Sequence, residues 1–241
     1  MPSMADPYAK IRWAKIHLER LGAEVSSFTP AKAYTLTRYD DIENQRHIAR
    51  FELADIPAEI CLLAGDAVYN MRAALDQTVW ALARLKGIPT GTQFPIIEVW
   101  NSEGRRRFKR QVVGVPDAAF HEIQTLQPYH RGDAFKSHPL WRLDEICNLD
   151  KHRRIPAHGT AMDGTIWGVS PADTTLEKSD ECLIVSVPLA RKDKLQFDPT
   201  TTVTVAFGGD MSGITETFET LIEIYNFVAL DVLPRFDRFF S

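Results

Sequence analysis

Residues 65–77 read GDAVYNMRAALDQ and lie at the centre of a long helical pattern. Apolar residues recur every three or four positions here, which predicts one helix from Pro57 to about Lys86 with a broad face in the core. Asp55 is the expected N-cap, and Gly87 and Pro89 are the expected termination signals. The predicted core face comprises Ile60, Leu63, Ala67, Met71, Ala74, Leu75, Thr78, Leu82 and Leu85.

The opposite side of this helix has an unusual composition. A solvated helix face usually carries Lys and Glu, which are good helix formers. This side has neither between Asp66 and Trp80. We therefore expect something outside the helix to pack on it. We call this surface the polar arc, and it comprises Asp66, Tyr69, Asn70, Arg72, Asp76, Gln77 and Trp80.

Two interpretations of the polar arc remain open. In the first, the rest of the protein packs on it: Arg72 pairs with Asp76 one turn away, and Asp66 and Asn70 hydrogen-bond to a neighbouring loop. In the second, the arc lines a site for a polar or anionic ligand, either a small molecule such as a nucleotide or a nucleic-acid segment, because short polar side chains beside aromatic rings orient ligands. The ligand-binding residues would be Asp66, Asn70, Arg72, Asp76 and Gln77.

The aromatic members of the polar arc allow a third interpretation. Tyr69 and Trp80 lie beside the polar side chains at helical spacing. Large aromatic residues are enriched in protein interfaces. The same surface is therefore also a candidate homodimer or partner interface.

The string from Gly65 to Asp76 resembles a helix in a group of uncharacterised bacterial proteins, where a histidine commonly follows the last aspartate. The resemblance covers roughly residues 60–155. It implies a family but no activity. Proteins of this group also tend to carry sequence segments similar to Thr92-Gln93-Phe94-Pro95-Ile96, Leu126-Gln127-Pro128-Tyr129 and Asp150-Lys151-His152-Arg153.

A second resemblance is to HEPN ribonucleases, which carry an arginine and, some four to six residues later, a histidine on one helix, and which cut RNA without a metal ion. Here Gln77 stands where the histidine is expected, and an amide does not exchange protons near neutral pH. Catalysis of this kind would need Arg72 together with a histidine from elsewhere, and His152 is the best candidate. A metal-independent ribonuclease or hydrolase is thus the alternative to a binding protein.

Two other segments are candidate contacts for the same ligand. The loop Tyr129-His130-Arg131 combines an aromatic ring, an imidazole and a guanidinium, which suits an anion, although a solvated surface turn explains it equally simply. A predicted helix from Pro139 to about Arg153 ends in Lys151 and His152, which either bind the ligand or complement the helix dipole. On that helix Asp144, Asn148 and His152 share one stripe. Because Asn is a poor metal ligand, we predict no metal site.

The run from Arg105 to Arg110 places five positive charges on about one and a half turns of a predicted helix. Such a surface is suited to contacts with phosphates. Its other interpretation is an ordinary solvated face. Phe108 is the only aromatic residue in the run, which gives little support for base stacking.

Composition bounds the class of protein. The 241 residues are 44% hydrophobic and 25% charged, with a formal net charge of −4 and three cysteines far apart in the sequence. The cysteines are expected to be buried free thiols, which fits the cytoplasm. No apolar run approaches the ~20 residues of a membrane span, and no phosphate-binding loop, dinucleotide fingerprint, nucleophile elbow or zinc motif is present. We therefore predict no cofactor and no membrane contact.

Helices and strands are segregated along the chain. This arrangement predicts a single α+β domain over residues 1–241, with the long central helix and several shorter helices packed on an antiparallel sheet. Further helices are expected over 8–24, 102–112, 116–126 and 212–233, and strands over 33–39, 46–53, 165–169, 182–187 and 201–207.

Overall fold

The computed structural model describes residues 2–27, 34–53, 57–87, 90–152, 157–178, 182–207 and 216–240. Side chains are described for these ranges except residues 53, 150–152, 157–167, 178, 197–207 and 216–217. In chain order the helices and strands are α1 (Ala5–Ser27), β1 (Tyr34–Asp41), β2 (Arg46–Leu53), α2 (Ala58–Ala83), α3 (Ser102–Gln111), α4 (Asp117–Thr125), α5 (Pro139–His152), β3 (Ala157–Trp167), β4 (Thr175–Lys178), β5 (Cys182–Pro188), β6 (Gln196–Phe207), β7 (Glu216–Thr217) and α6 (Phe218–Asn226). The predicted α+β class is confirmed.

The chain divides into two compact units. The first contains Met1–Gly22, Cys61–Pro156 and Phe207–Ser241, and the second contains Ala23–Ile60 and Ala157–Ala206. The single domain over residues 1–241 stays a prediction.

The first unit is built around α2. Most of the predicted core face of α2 is buried as expected, including Met71, Leu75 and Leu82, and Leu63 is half-buried. The helix ends at Ala83, after which hydrogen bonds to the third preceding residue tighten the chain into Gly87. Leu85 therefore lies beyond the helix and is 40% exposed, so its predicted place in the core is wrong.

Residues 90–100 run from the end of α2 to α3 without regular structure. Phe94, Ile96 and Ile97 are nevertheless buried. The backbone amide of Gln93 donates to the carbonyl of Gln111, and the side-chain amides of these two residues are hydrogen-bonded at 3.0 Å. This segment is therefore an ordered part of the core, and we call it the Phe94 segment.

The last helical region of the first unit is less regular than its pattern predicts. The α-helix α6 passes directly into a π-helix over Phe227–Val232 and then into a 3₁₀ helix over Leu233–Phe239. The predicted start at residue 212 lies outside the described residues. Within the helix predicted up to residue 233, Leu221, Val228 and Val232 are buried at the spacing of three to seven residues that an amphipathic helix requires.

The second unit contains an antiparallel sheet with strand order β1-β2-β5-β4. The strands predicted over 33–39 and 46–53 are confirmed as β1 and β2, which form an antiparallel hairpin with Tyr34 opposite Leu53 and Asp41 opposite Arg46. The core of this sheet comprises Ala49, Phe51, Leu183, Val185, Val187 and Leu195. β3 and β6 are neighbours in a second sheet.

Within the described residues, no helix is long and apolar enough to cross a membrane.

Candidate ligand site on the polar arc

The N-terminal half of the polar arc contacts α1 and is covered by it at Asn70. Asn70 is only 5% exposed; its side-chain nitrogen donates to the carbonyl of Asp66, and its oxygen accepts from Lys10 at 3.3 Å. His17 lies 3.8 Å from the Asp66 carboxylate, which remains 62% exposed. Asp66 thus contacts a later residue of α1 than Asn70 does, although Asp66 precedes Asn70 in α2. The two helices therefore run antiparallel.

Arg72 and Asp76 hold the backbone of one residue, Phe94. Arg72 Nη2 donates to the Phe94 carbonyl at 2.9 Å, and Asp76 Oδ1 accepts from the Phe94 amide at 2.8 Å. The two side chains are also paired one turn apart at 3.3 Å, as predicted. The loop contact expected for Asp66 and Asn70 is made by Arg72 and Asp76 instead.

The guanidinium of Arg72 is buried between acceptors. Its side chain is 6% exposed, and Nη1 lies 3.5 Å from the carboxylate of Asp144 on α5. Two carboxylates and one carbonyl thus surround a single cation. A buried charge is tolerated when it is paired in this way, and the residue is then a structural element of the core.

A cavity of about 430 Å³ lies at the C-terminal end of the polar arc. One wall is formed by Ser3, Asp6 and Pro7 at the start of α1. The other is formed by Asp76, Gln77, Trp80 and Ala81 of α2, together with Thr92 of the Phe94 segment. Cavities of this size are typical of small-molecule sites.

The lining of the cavity is rich in hydrogen-bond acceptors. Gln77 Oε1 is buried and has no hydrogen-bond partner among the described residues. The carboxylates of Asp6 and Asp76 lie on the same cavity, and no lining residue is basic. Trp80 is 42% exposed, and the guanidinium of Arg84 lies 4.8 Å from its ring centroid. The cavity therefore favours a ligand that donates hydrogen bonds.

The predicted loop contacts lie elsewhere in the first unit, in a 3₁₀ segment over Pro128–Ser137. The ring of Tyr129 stacks on that of Trp100, with 4.9 Å between the ring centroids, and its centroid lies 4.2 Å from that of the His130 ring. Arg131 Nη1 donates to the carbonyl of Ser137 at 2.6 Å. None of the three predicted residues lines the cavity that Gln77 borders.

Lys151 and His152 occupy the last turn of α5. Their side chains lie outside the described residues, so the pairing of Arg72 with His152 stays a prediction. Among the described residues, the guanidinium of Arg72 is bonded to the Phe94 carbonyl and paired with the carboxylates of Asp76 and Asp144, and none of these partners is an imidazole. No group of three or more His, Cys, Asp or Glu side chains in the described part of the chain is arranged to hold a metal ion.

Several residues of the site carry no signal in the sequence. Ser3, Asp6 and Pro7 lie some 70 residues before Gln77 and reach it only through helix packing. Asp144 was recognised as one of three residues on a stripe, but its role as a partner of Arg72 depends on how α5 packs. Comparisons of this chain with protein-family models, with curated proteins and with solved structures give no match.

Proposed function

We propose that the protein binds a small polar ligand in the cavity beside Gln77, and that this ligand is of the nucleoside class. The observation that carries the proposal is that Gln77 lines the cavity while its Oε1 is buried with no hydrogen-bond partner among the described residues. An unsatisfied buried acceptor costs about 1–3 kcal/mol, and a ligand donor that meets Oε1 when the side chain turns toward the cavity would remove that cost.

The remaining lining residues support the choice of a nucleoside. A base with an exocyclic amino group donates to Gln77 and to the carboxylate of Asp6, while its flat face suits the indole of Trp80. Ser3 and Thr92 supply hydroxyl groups for a sugar. Because the two lining carboxylates are acidic and no lining residue is basic, the neutral nucleoside fits better than its phosphate.

Isothermal titration calorimetry with adenosine, cytidine, guanosine, uridine and adenosine 5′-monophosphate tests the proposal. We expect an amino-bearing nucleoside to bind, and the monophosphate of adenosine to bind more weakly than adenosine. If none of the four nucleosides binds, or if the monophosphate binds more tightly, the proposal is wrong.

A matched pair of variants assigns the binding to the cavity. Gln77→Met removes the acceptor while keeping the length of the side chain, so nucleoside binding should fall at least tenfold. The unliganded variant should be as stable as the wild type or more stable, because the unsatisfied acceptor is gone. Gln124→Met, on α4 and away from the cavity, is the control. Equal effects of the two variants on binding would contradict the assignment.

A second function, self-association, is favoured by exposed apolar side chains along α2. Leu62, Tyr69 and Trp80 are 57%, 56% and 42% exposed, and their spacing of seven and eleven places them on one line of the helix. Light scattering on Tyr69→Glu and Trp80→Glu tests it. A dimer that both variants dissociate, and that Val113→Glu leaves intact, supports this function; a monomeric wild type rejects it.

A further inference from the structure

The outer side of α3 carries a concentrated positive charge. Five cations, Arg105, Arg106, Arg107, Lys109 and Arg110, are all exposed, whereas Gly104, Phe108 and Gln111 are buried. The buried residues share one side of the helix, so the cations occupy the rest of its circumference. A protein with a net charge of −4 thus presents a concentrated positive surface at this one helix.

The five α3 cations have no acidic partner among the described residues, whereas several arginines elsewhere in the first unit do. Arg235 and Arg238 both contact Glu122, and Arg72 lies between two carboxylates. In the described part of the chain, no side chain of the five α3 cations forms an ion pair. Their charge is therefore not compensated within the fold and is free to attract an external polyanion.

The helix that carries the charges is held firmly. Asn101 caps it by accepting from the amide of Gly104 at 2.8 Å. A side chain at Gly104 would collide with the carbonyl of Val99, so the backbones approach closely there. Phe108 is fully buried and packs edge-on against Trp100 and Phe120. A rigid helix loses little entropy when its charged face binds a partner.

A row of aromatic rings begins at the N-terminal end of α3. Trp100 directly precedes the capping residue Asn101 and stacks on Tyr129, with 23° between the ring planes. Tyr129 also contacts the ring of His130, which is exposed. The sequence places only Phe108 among the charges. In the fold, Trp100 contacts Phe108 on the buried side of α3, and the row of rings continues through Tyr129 to the exposed His130. Phosphate-binding cations next to stacked rings are characteristic of surfaces that bind single-stranded nucleic acids.

We infer that the outer face of α3 binds single-stranded nucleic acid, with its phosphates on the α3 cations and a base on His130. This site is separate from the cavity beside Gln77, and it does not depend on the proposed nucleoside function. Duplexes are disfavoured because their bases are already stacked and unavailable to His130.

Fluorescence anisotropy with labelled 12-nucleotide oligouridine and oligoadenine tests the inference across a salt series. We expect binding that weakens with salt and a preference of at least fivefold for the single strand over a duplex of equal length. Absence of binding at 50 mM salt, or a preference for the duplex, would overturn the inference. So would equal competition by polyglutamate, because any polyanion would then suffice.

Variants with matched charge locate the binding. Arg106→Gln with Arg110→Gln removes two exposed cations from α3, and Arg12→Gln with Arg20→Gln removes two from α1. A plot of log K against log salt has a negative slope, and each lost phosphate contact reduces its magnitude by about 0.7. The magnitude should therefore fall by about 1.4 in the α3 variant and by almost nothing in the α1 control. Equal losses in the two variants would contradict the assignment.

The His130→Ala variant separates stacking from charge. It should weaken binding about fivefold or more without changing the salt slope, because base stacking is nearly independent of salt. Circular dichroism and thermal unfolding verify that each variant is folded. An unchanged affinity for His130→Ala would remove the stacking contact from the inference and with it the preference for single strands.

Discussion

The guanidinium of Arg72 donates a hydrogen bond of 2.9 Å to the backbone carbonyl of Phe94. The amide of Phe94 in turn donates to Asp76, so one residue of an irregular segment is held through both of its backbone polar groups. Two members of the polar arc therefore fix the segment that carries Thr92 to the rim of the cavity. Arg72 and Asp76 therefore act on the shape of the cavity, by holding this segment of the core in place.

Arg72→Ala should strongly destabilise the protein. It leaves Asp144, Asp76 and the Phe94 carbonyl without their cation, and breaking a buried charge pair of this kind costs about 3–5 kcal/mol. Urea denaturation measures the loss. The control, Arg84→Ala, removes an exposed guanidinium from the end of the same helix and should cost about 1 kcal/mol or less. Similar losses for the two variants would show that Arg72 is not an anchor.

His138 should make stability depend on pH. Burial, followed by the charges of Arg131 and His130, lowers the pKa of His138 from 6.5 to about 4. Between pH 4 and 6.5 the unfolded chain binds a proton at this histidine and the folded protein does not. The contribution of His138 to the free energy of unfolding is therefore fully present above pH 6.5. It is lost as the pH falls toward 4, by on the order of 3 kcal/mol.

The control for this effect keeps the helix cap but removes the titration. His138 Nδ1 accepts from the amide of Leu140 at the start of α5, and its ring packs on Phe227. The side-chain oxygen of an asparagine can accept the same hydrogen bond. Urea denaturation of wild type and His138→Asn from pH 7.5 to 4.5 should show a stability difference that shrinks on acidification. Parallel profiles would contradict the shifted pKa.

Gly104→Ala should destabilise the protein even though alanine favours helices. The added methyl group would meet the carbonyl of Val99 and approach the side chain of Ile97 to 3.0 Å. Forcing an extra carbon into such a contact costs about 1–3 kcal/mol. The exposed neighbour Arg105 provides the control, since Arg105→Ala should change the free energy of unfolding by about 0.5 kcal/mol or less. Thermal and urea unfolding compare the two, and a neutral Gly104→Ala would contradict the close approach.

The sequence predicts the regular elements well because their signals are local. The spacing of apolar residues predicts a helix from Pro57 to about Lys86, and α2 occupies Ala58–Ala83 of that range. Two β-prone runs around an acidic turn predict the β1–β2 hairpin. The error at Leu85 has a local origin too, because the helical spacing continues for a few residues past the last α-helical turn.

The candidate site is predicted only in part, because its partners are distant in the chain. The absence of Lys and Glu on the polar arc correctly indicates that part of it is covered, at Asn70 and Arg72. It does not reveal that α1 covers Asn70, or that Arg72 and Asp76 hold backbone atoms 22 and 18 residues away. Hydrogen bonds to the backbone of an irregular segment leave no periodic pattern. The cavity is less predictable still, since its walls meet only through tertiary packing.

The walls of the cavity come from two helices, because Asp6 and Pro7 belong to α1 and Gln77 and Trp80 belong to α2. A ligand in the cavity therefore contacts both helices. Movement of the first turns of α1 away from α2 would release the ligand, so ligand binding and the packing of α1 on α2 stabilise each other. Amide hydrogen exchange in the early turns of α1 should then slow when the cavity is filled, which gives a readout of binding that requires no catalytic activity.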